Sequence, residues 1–153
     1  MQGQRARQKS EERATAPETA IILLRAADFV RRSAARVVEP HGVTWQQYNV
    51  LRILEAAGPD GLPTLEVAAR LIEETPGVTR LMDRLEAKAF IRRQRCPHDR
   101  RQHLCWLTGE GARLLGRLTP AIATALERTF KHLDSHKRRE LIALLKSGNA
   151  SAE

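Results

Sequence analysis

The chain has 153 residues, the size of one ordinary domain, and its 42% apolar and 29% charged content excludes wholesale disorder. Lys and Arg number 26 against 18 Asp and Glu, a net charge of +8 that favours a polyanionic partner, nucleic acid before an anionic membrane. With no apolar run near the roughly 18 residues that span a bilayer, a polar Met1 to Arg13 segment and only Cys96 and Cys105, a cytoplasmic protein without membrane or disulfide scaffold is expected.

Residues 1–17 carry Arg5, Arg7, Lys9 and Arg13 without apolar periodicity and are expected to form a mobile basic arm. From Glu18 onward, Ile21, Leu24, Ala27, Val30, Ala34 and Val37 recur at three- and four-residue spacing, which predicts an amphipathic helix stopped by Pro40 and Gly42. Thr44 with Gln47 predicts a capping box that opens a second helix over Trp45 to about Ala57. After the turn Gly58-Pro59-Asp60-Gly61, Leu62-Pro63 suits a very short strand, and Thr64 is expected to cap a third helix from Leu65 to Leu71. Thr75 and Pro76 then predict an N-cap and first position for a fourth helix running to about Ala89.

Phe90 to Arg95 and His103 to Leu107 alternate as two short antiparallel strands. Thr108 is expected to cap a long helix to about Lys131, with Leu114, Leu115, Leu118, Ile122, Ala125 and Leu126 on its apolar stripe and a kink at Pro120. Asp134 or Ser135 opens a last helix carrying Leu141, Ile142, Leu144 and Leu145, which Gly148 is expected to end before a frayed tail, residues 148–153.

Two short helices, a turn and a basic hairpin, in that order, give a mainly α fold with the layout of a winged helix-turn-helix and a small antiparallel β wing. On the fourth helix, Val78, Leu81, Met82 and Leu85 share an inward face, while Thr79, Arg80, Asp83 and Arg84 turn outward, where they can enter a major groove. Pro76, Gly77 and Thr79 keep the start of that helix small and polar, and the helix dipole there favours phosphate. Arg80 is best placed for a base edge. On an isolated helix, Arg80 and Arg84 would instead form solvated ion pairs with Asp83, Glu86 or Glu73. The hairpin tips the balance: between Ile91 and His103 stand five arginines, Arg92, Arg93, Arg95, Arg100 and Arg101, against the single acid Asp99. Such charge is costly to confine unless an anion receives it.

The run Thr79-Arg80-Leu81-Met82-Asp83-Arg84-Leu85-Glu86, then Phe90-Ile91-Arg92-Arg93, Asp99-Arg100-Arg101 and Leu107-Thr108 resembles the MarR family of bacterial transcription regulators. The resemblance spans residues 18–147 as a single unit. It implies dimerisation helices at 18–39 and 109–147 flanking a winged helix-turn-helix at 44–108. It further implies a homodimer on a pseudo-palindromic double-stranded DNA operator, repressing transcription and releasing the DNA when a small aromatic or phenolic effector binds. The family's wing arginine, carried onto Arg101, would enter the minor groove, braced by Asp99; a narrow groove concentrates negative potential, which suits a guanidinium. Arg100 is expected at phosphate, as by position and charge are Arg84, Arg92 and Arg95.

Trp45 and Tyr48, three apart on the second helix, suit core packing first, but ring plus polar tip also suits an aromatic acid, with Arg25, His41 and Arg52 as weaker partners for its anionic group. Trp106 points outward, toward a partner or under the arginine stems of the wing. Cys105 is expected to be a small core residue, and Cys96, among basic neighbours, an incidental thiol before a redox sensor. His132 and His136 are separated by a helix start, so no metal is predicted, and no resident cofactor. Neither a phosphate-binding glycine loop nor a catalytic set with recognisable spacing is present, which speaks against an enzyme. Two alternatives remain: an architectural DNA-coating protein without operator preference, and a thiol-based redox-sensing regulator acting through Cys96.

Overall fold

A computed structural model describes residues 15–72, 77–96 and 102–149. Helix α1 (Ala16–Val38) starts at Ala16 rather than Glu18, because Thr15 caps it: its Oγ1 accepts from the Glu18 N–H at 3.3 Å. It gives way to a 3₁₀ turn at Glu39–His41, closed as expected by Gly42 at φ 75°. Ala34 and Val38 are buried, but Ile21, Ile22, Leu23, Leu24 and Phe29 are exposed, Leu24 to 71%.

The expected capping box opens α2 (Trp45–Ala57): Thr44 N–H donates to Gln47 Oε1 at 3.0 Å, and Gln47 N–H to Thr44 Oγ1 at 3.2 Å. Gln47 is 3% exposed, and this reciprocal pair satisfies its side-chain oxygen and its backbone N–H. The predicted short strand is β1 (Leu62–Pro63), leading into α3 (Thr64–Arg70). Thr64 does not cap α3. Pro63 holds the cap position, and the Thr64 hydroxyl turns away to donate to the His103 carbonyl at 3.2 Å.

Helix α4 (Val78–Ala87) starts later than Pro76, with Gly77 as its N-cap at φ 87° and ψ 34°, a left-handed conformation that suits glycine. At its far end the Phe90 N–H reaches back to Leu85 O at 3.0 Å across Ala89, which adopts φ 57° where a glycine commonly stands. Strands β2 (Ile91–Arg95) and β3 (His103–Leu107) form the wing, with Ile91 opposite Leu107 and Arg95 opposite His103. The antiparallel sheet has the order β1-β3-β2.

Thr108 caps α5 (Gly109–Thr129) by accepting from the Gly111 N–H at 3.1 Å, and α5 runs through Pro120 as one helix. In α6 (Ser135–Asn149), Asp134 Oδ1 accepts from the Lys137 N–H at 2.9 Å, and the helix continues past Gly148. Arg138 ties α6 to the end of α5, reaching Glu127 at 2.8 Å and the carbonyls of Phe130 and Leu133 at 3.2 and 2.9 Å. That guanidinium holds the Glu127 carboxyl below its ordinary pKa.

One core joins the two halves of the chain. Leu51 and Leu54 of α2, Met82 and Leu85 of α4, Ile91 and Cys105 of the wing, and Leu114, Leu115 and Leu118 of α5 are all buried in it. Each such large side chain contributes about 1.5–3 kcal/mol on burial. The position of α4 against α2 and the sheet is therefore set by packing, which leaves its opposite face to solvent.

Candidate nucleic-acid interface

On α4, Leu81, Met82 and Leu85 are buried and Val78 packs against the core, so Thr79, Arg80, Asp83 and Arg84 face outward as their spacing requires. In β2 the side chains alternate: Ile91 enters the core, Arg93 turns to α4, and Arg92 lies on the opposite face.

Arg93 is the most heavily bonded cation of this surface among the described residues. Its Nε and Nη2 donate to Glu86 Oε2 at 2.8 and 2.6 Å, its backbone N–H donates to Glu86 Oε1 at 3.1 Å, and Nη2 also reaches Asp83 Oδ1 at 2.5 Å. Its side chain is 17% exposed. Burial works against its charge, but the hydrogen bonds and charges of Glu86 and Asp83 together outweigh it and hold the pKa above the ordinary arginine value. The two acids nearest Arg80 and Arg84 on α4 are thereby occupied, and neither arginine forms an ion pair with any acid among the described residues. Among the described residues, no acid competes with a ligand for either cation.

On the far side of the wing, the Arg92 guanidinium lies 4.0 Å from the Trp106 ring centroid, and the Trp106 indole N–H donates to Pro59 O at 3.0 Å. Gly61, at φ +69°, makes room for that indole, since a Cβ there would lie 2.5 Å from Trp106 Nε1. Of the two readings of Trp106, cover by a wing arginine is present, through the Arg92 guanidinium. Arg95, on the Arg93 side, is exposed and borders an open cleft of about 650 Å³, with Thr79, Gln102 and His103 also on its wall. Lys88, just beyond α4, donates from Nζ to the Gly42 carbonyl and so ties that helix to the turn between α1 and α2.

The expected contacts Thr75, Pro76, Asp99, Arg100 and Arg101 lie outside the described residues. Gly77, Thr79, Arg80, Arg84 and Arg95 lie on or beside the outward face of α4, while Arg92 stands on the other side of the wing. Among the effector candidates, the Trp45 and Tyr48 rings stack with centroids 5.4 Å apart, and Arg52 Nη1 donates to Tyr48 Oη at 3.4 Å. Tyr48 is 3% exposed, and its hydroxyl meets Thr119 Oγ1 at 3.2 Å, joining α2 to α5. Arg25 and His41 are exposed, and no hydrogen bond or ion pair joins them to these three among the described residues. Cys105 is fully buried beside Thr64, and burial raises its thiol pKa, against the opposing pull of Thr64 and Arg93, as suits an inert core residue. Cys96 is half-buried.

A helical pair whose second member is exposed and cationic, followed by an antiparallel wing, defines a winged helix-turn-helix DNA-binding protein. Residues 41–102 match the MarR family. The chain is 29% identical over 132 residues to the uncharacterised HTH-type transcriptional regulator YkoM of Bacillus subtilis, covering 86% of this chain and 84% of that one. It is 32% identical to a MarR transcription factor from Planctomyces limnophilus of known crystal structure, with a TM-score of 0.69 over 88% of this chain and 97% of that one. The fold is also that of Bordetella bronchiseptica BpsR, whose DNA binding is regulated by 6-hydroxynicotinic acid, at 23% identity and a TM-score of 0.77 over 86% and 98% of the two chains. The chain belongs to the MarR family: it is a transcription regulator that binds DNA. No helix among the described residues is long and apolar enough to cross a membrane.

Proposed function

We propose that the protein is a sequence-specific repressor, acting in the bacterial cytoplasm as a homodimer on a pseudo-palindromic operator, with occupancy set by a small aromatic or phenolic acid. The observation that carries the sequence-specific reading is the pair Arg80 and Arg84, exposed on α4 beside the wing and unpaired by any acid among the described residues. Arg80 reads a base edge, and Arg84, Arg92, Arg95 and Arg100 anchor phosphate. Arg101, braced by Asp99, enters the minor groove. The uncovered apolar faces of α1 and α6 supply the dimer contact, which sets the two α4 helices on half-sites about 10 bp apart.

A competition shift assay on DNA flanking the protein's own gene tests this reading. Specific binding survives excess unrelated DNA; equal competition would favour a coating protein instead. Arg101→Ala is expected to weaken operator binding at least tenfold at fixed salt with little change in Tm, and Arg80→Ala to narrow the gap between operator and unrelated DNA. Wild-type behaviour of both variants would refute the assignment.

The effector docks beside Trp45, Tyr48 and Arg52, the guanidinium meeting its carboxylate. Tyr48 joins α2 to α5, so a ligand there favours a dimer with wrongly spaced recognition helices to the extent that it binds that dimer more tightly. Hydroxylated aromatic acids are expected to release DNA, and Arg52→Ala to shift release to higher ligand concentration. Absence of release across that class removes the effector from this reading.

A further inference from the structure

A DNA-binding helix that keeps two carboxylates on its exposed side pays an electrostatic penalty against phosphate, so Asp83 and Glu86 call for a compensating role. Both converge on one guanidinium. Arg93 offers Glu86 three donors and shares Nη2 with Asp83, a forked arrangement that fixes direction as well as distance. The opposite face of the same hairpin is held separately, by the Trp106 indole on Pro59 O and by its close fit against Gly61. Strand β2 is thus tied to α4 from one side, and β3 to the turn before β1 from the other. The base of the wing has little freedom to swing.

We propose that Arg93 is a positioning residue for DNA binding: through Asp83 and Glu86 it locks the wing at the angle to α4 at which both enter one duplex. The inference rests on the DNA-reading roles assigned to α4 and the wing above. The two carboxylates of this pair are 53% and 39% exposed, so solvent screens much of its contribution to stability, and its value lies in alignment. Lysine cannot replace the arginine, because a single ammonium does not reproduce the fork.

The test is the double variant Asp83→Asn/Glu86→Gln, with Arg93→Lys beside it, read in two ways. Charge alone predicts tighter operator binding once two negative charges leave the DNA face. The lock predicts the reverse, a loss of about tenfold, with a shallower dependence of log K on log salt as wing phosphate contacts are lost. In the DNA-free protein, amide exchange in residues 91–95 and 103–107 is expected to quicken in both variants, while α2 and α5 stay protected and Tm changes little. Both readouts are required. Unchanged or tighter operator binding overturns the proposal, even with faster exchange, since the lock would then serve stability alone. Unchanged exchange overturns it as well, and Arg93→Lys behaving as wild type does the same. A wild-type protein without sequence preference would refute the proposed function, and the lock is then judged by the same two readouts with unrelated duplex DNA in place of the operator.

Discussion

Replacing Gly111 with alanine is expected to lower stability by about 3 kcal/mol and Tm by roughly 6–12 °C, as overpacking of a rigid site does. A Cβ at this position would lie 2.2 Å from the Phe90 carbonyl oxygen and 2.7 Å from Leu107 Cδ1. The leucine can turn aside, but the carbonyl cannot. Phe90 O accepts from the Thr108 N–H at 3.1 Å, the Phe90 N–H is spent on Leu85 O, and the Thr108 hydroxyl donates to Ala89 O at 2.6 Å. These bonds knot together the end of α4, the root of β2 and the start of α5, so relief of the clash must tilt the wing or fray α5. Gly116→Ala is the control. Nothing lies within 4 Å of a Cβ there, and the substitution is expected to stabilise by about 0.4–1 kcal/mol through a less flexible unfolded chain. Thermal and urea denaturation of the two variants decides the matter, and a Gly111→Ala protein that melts like wild type refutes it.

The double substitution Leu24→Asp/Leu144→Asp is expected to render the protein monomeric and to cost at least about 100-fold in affinity for a full operator, with each winged unit still folded. Leu24 is 71% and Leu144 64% exposed, in the stretches Ile21 to Leu24 and Leu141 to Leu145, whose large apolar side chains the other described residues leave exposed. Exposed apolar faces of this kind mark interaction sites, here the proposed dimer contact. A buried carboxylate on each side of such a contact would be left unpaired, which association cannot easily offset. Sedimentation and the shift assay report the two effects separately. A wild-type protein that is monomeric at micromolar concentration, or a variant that remains dimeric, would refute the assignment of these faces.

Features legible in the sequence are those whose causes are local. The Thr44 and Gln47 capping box, the inward face of α4 and the pairing of β2 with β3 all follow from periods of two to four residues, and all are present. Misreadings arise where a distant partner decides. Thr64 has the chemistry of a cap, but its hydroxyl is drawn to His103, 39 residues on. The start of α4 depends on a left-handed Gly77, and Gly148 lies within α6. In the candidate site, Arg80 and Arg84 stand where their helical spacing puts them. The role of Arg93 was not legible, since it depends on acids 7 and 10 positions earlier brought alongside by the turn after α4. The only trace in the sequence is Asp83 and Glu86, three apart and facing a strand of arginines. Tyr48 likewise shows its ring by spacing, while its hydroxyl partner, Thr119, stands 71 residues away.

The bond from Lys88 to the Gly42 carbonyl ties the C-terminal end of α4 to the turn between α1 and α2. A ten-residue helix is about 15 Å long, so small rotations about that anchorage scarcely move the root of the wing and sweep the Thr79 and Arg80 end through the widest arc. Any rotation of α1 passed on through that turn would therefore displace the proposed base-reading end of α4 further than the root of the wing.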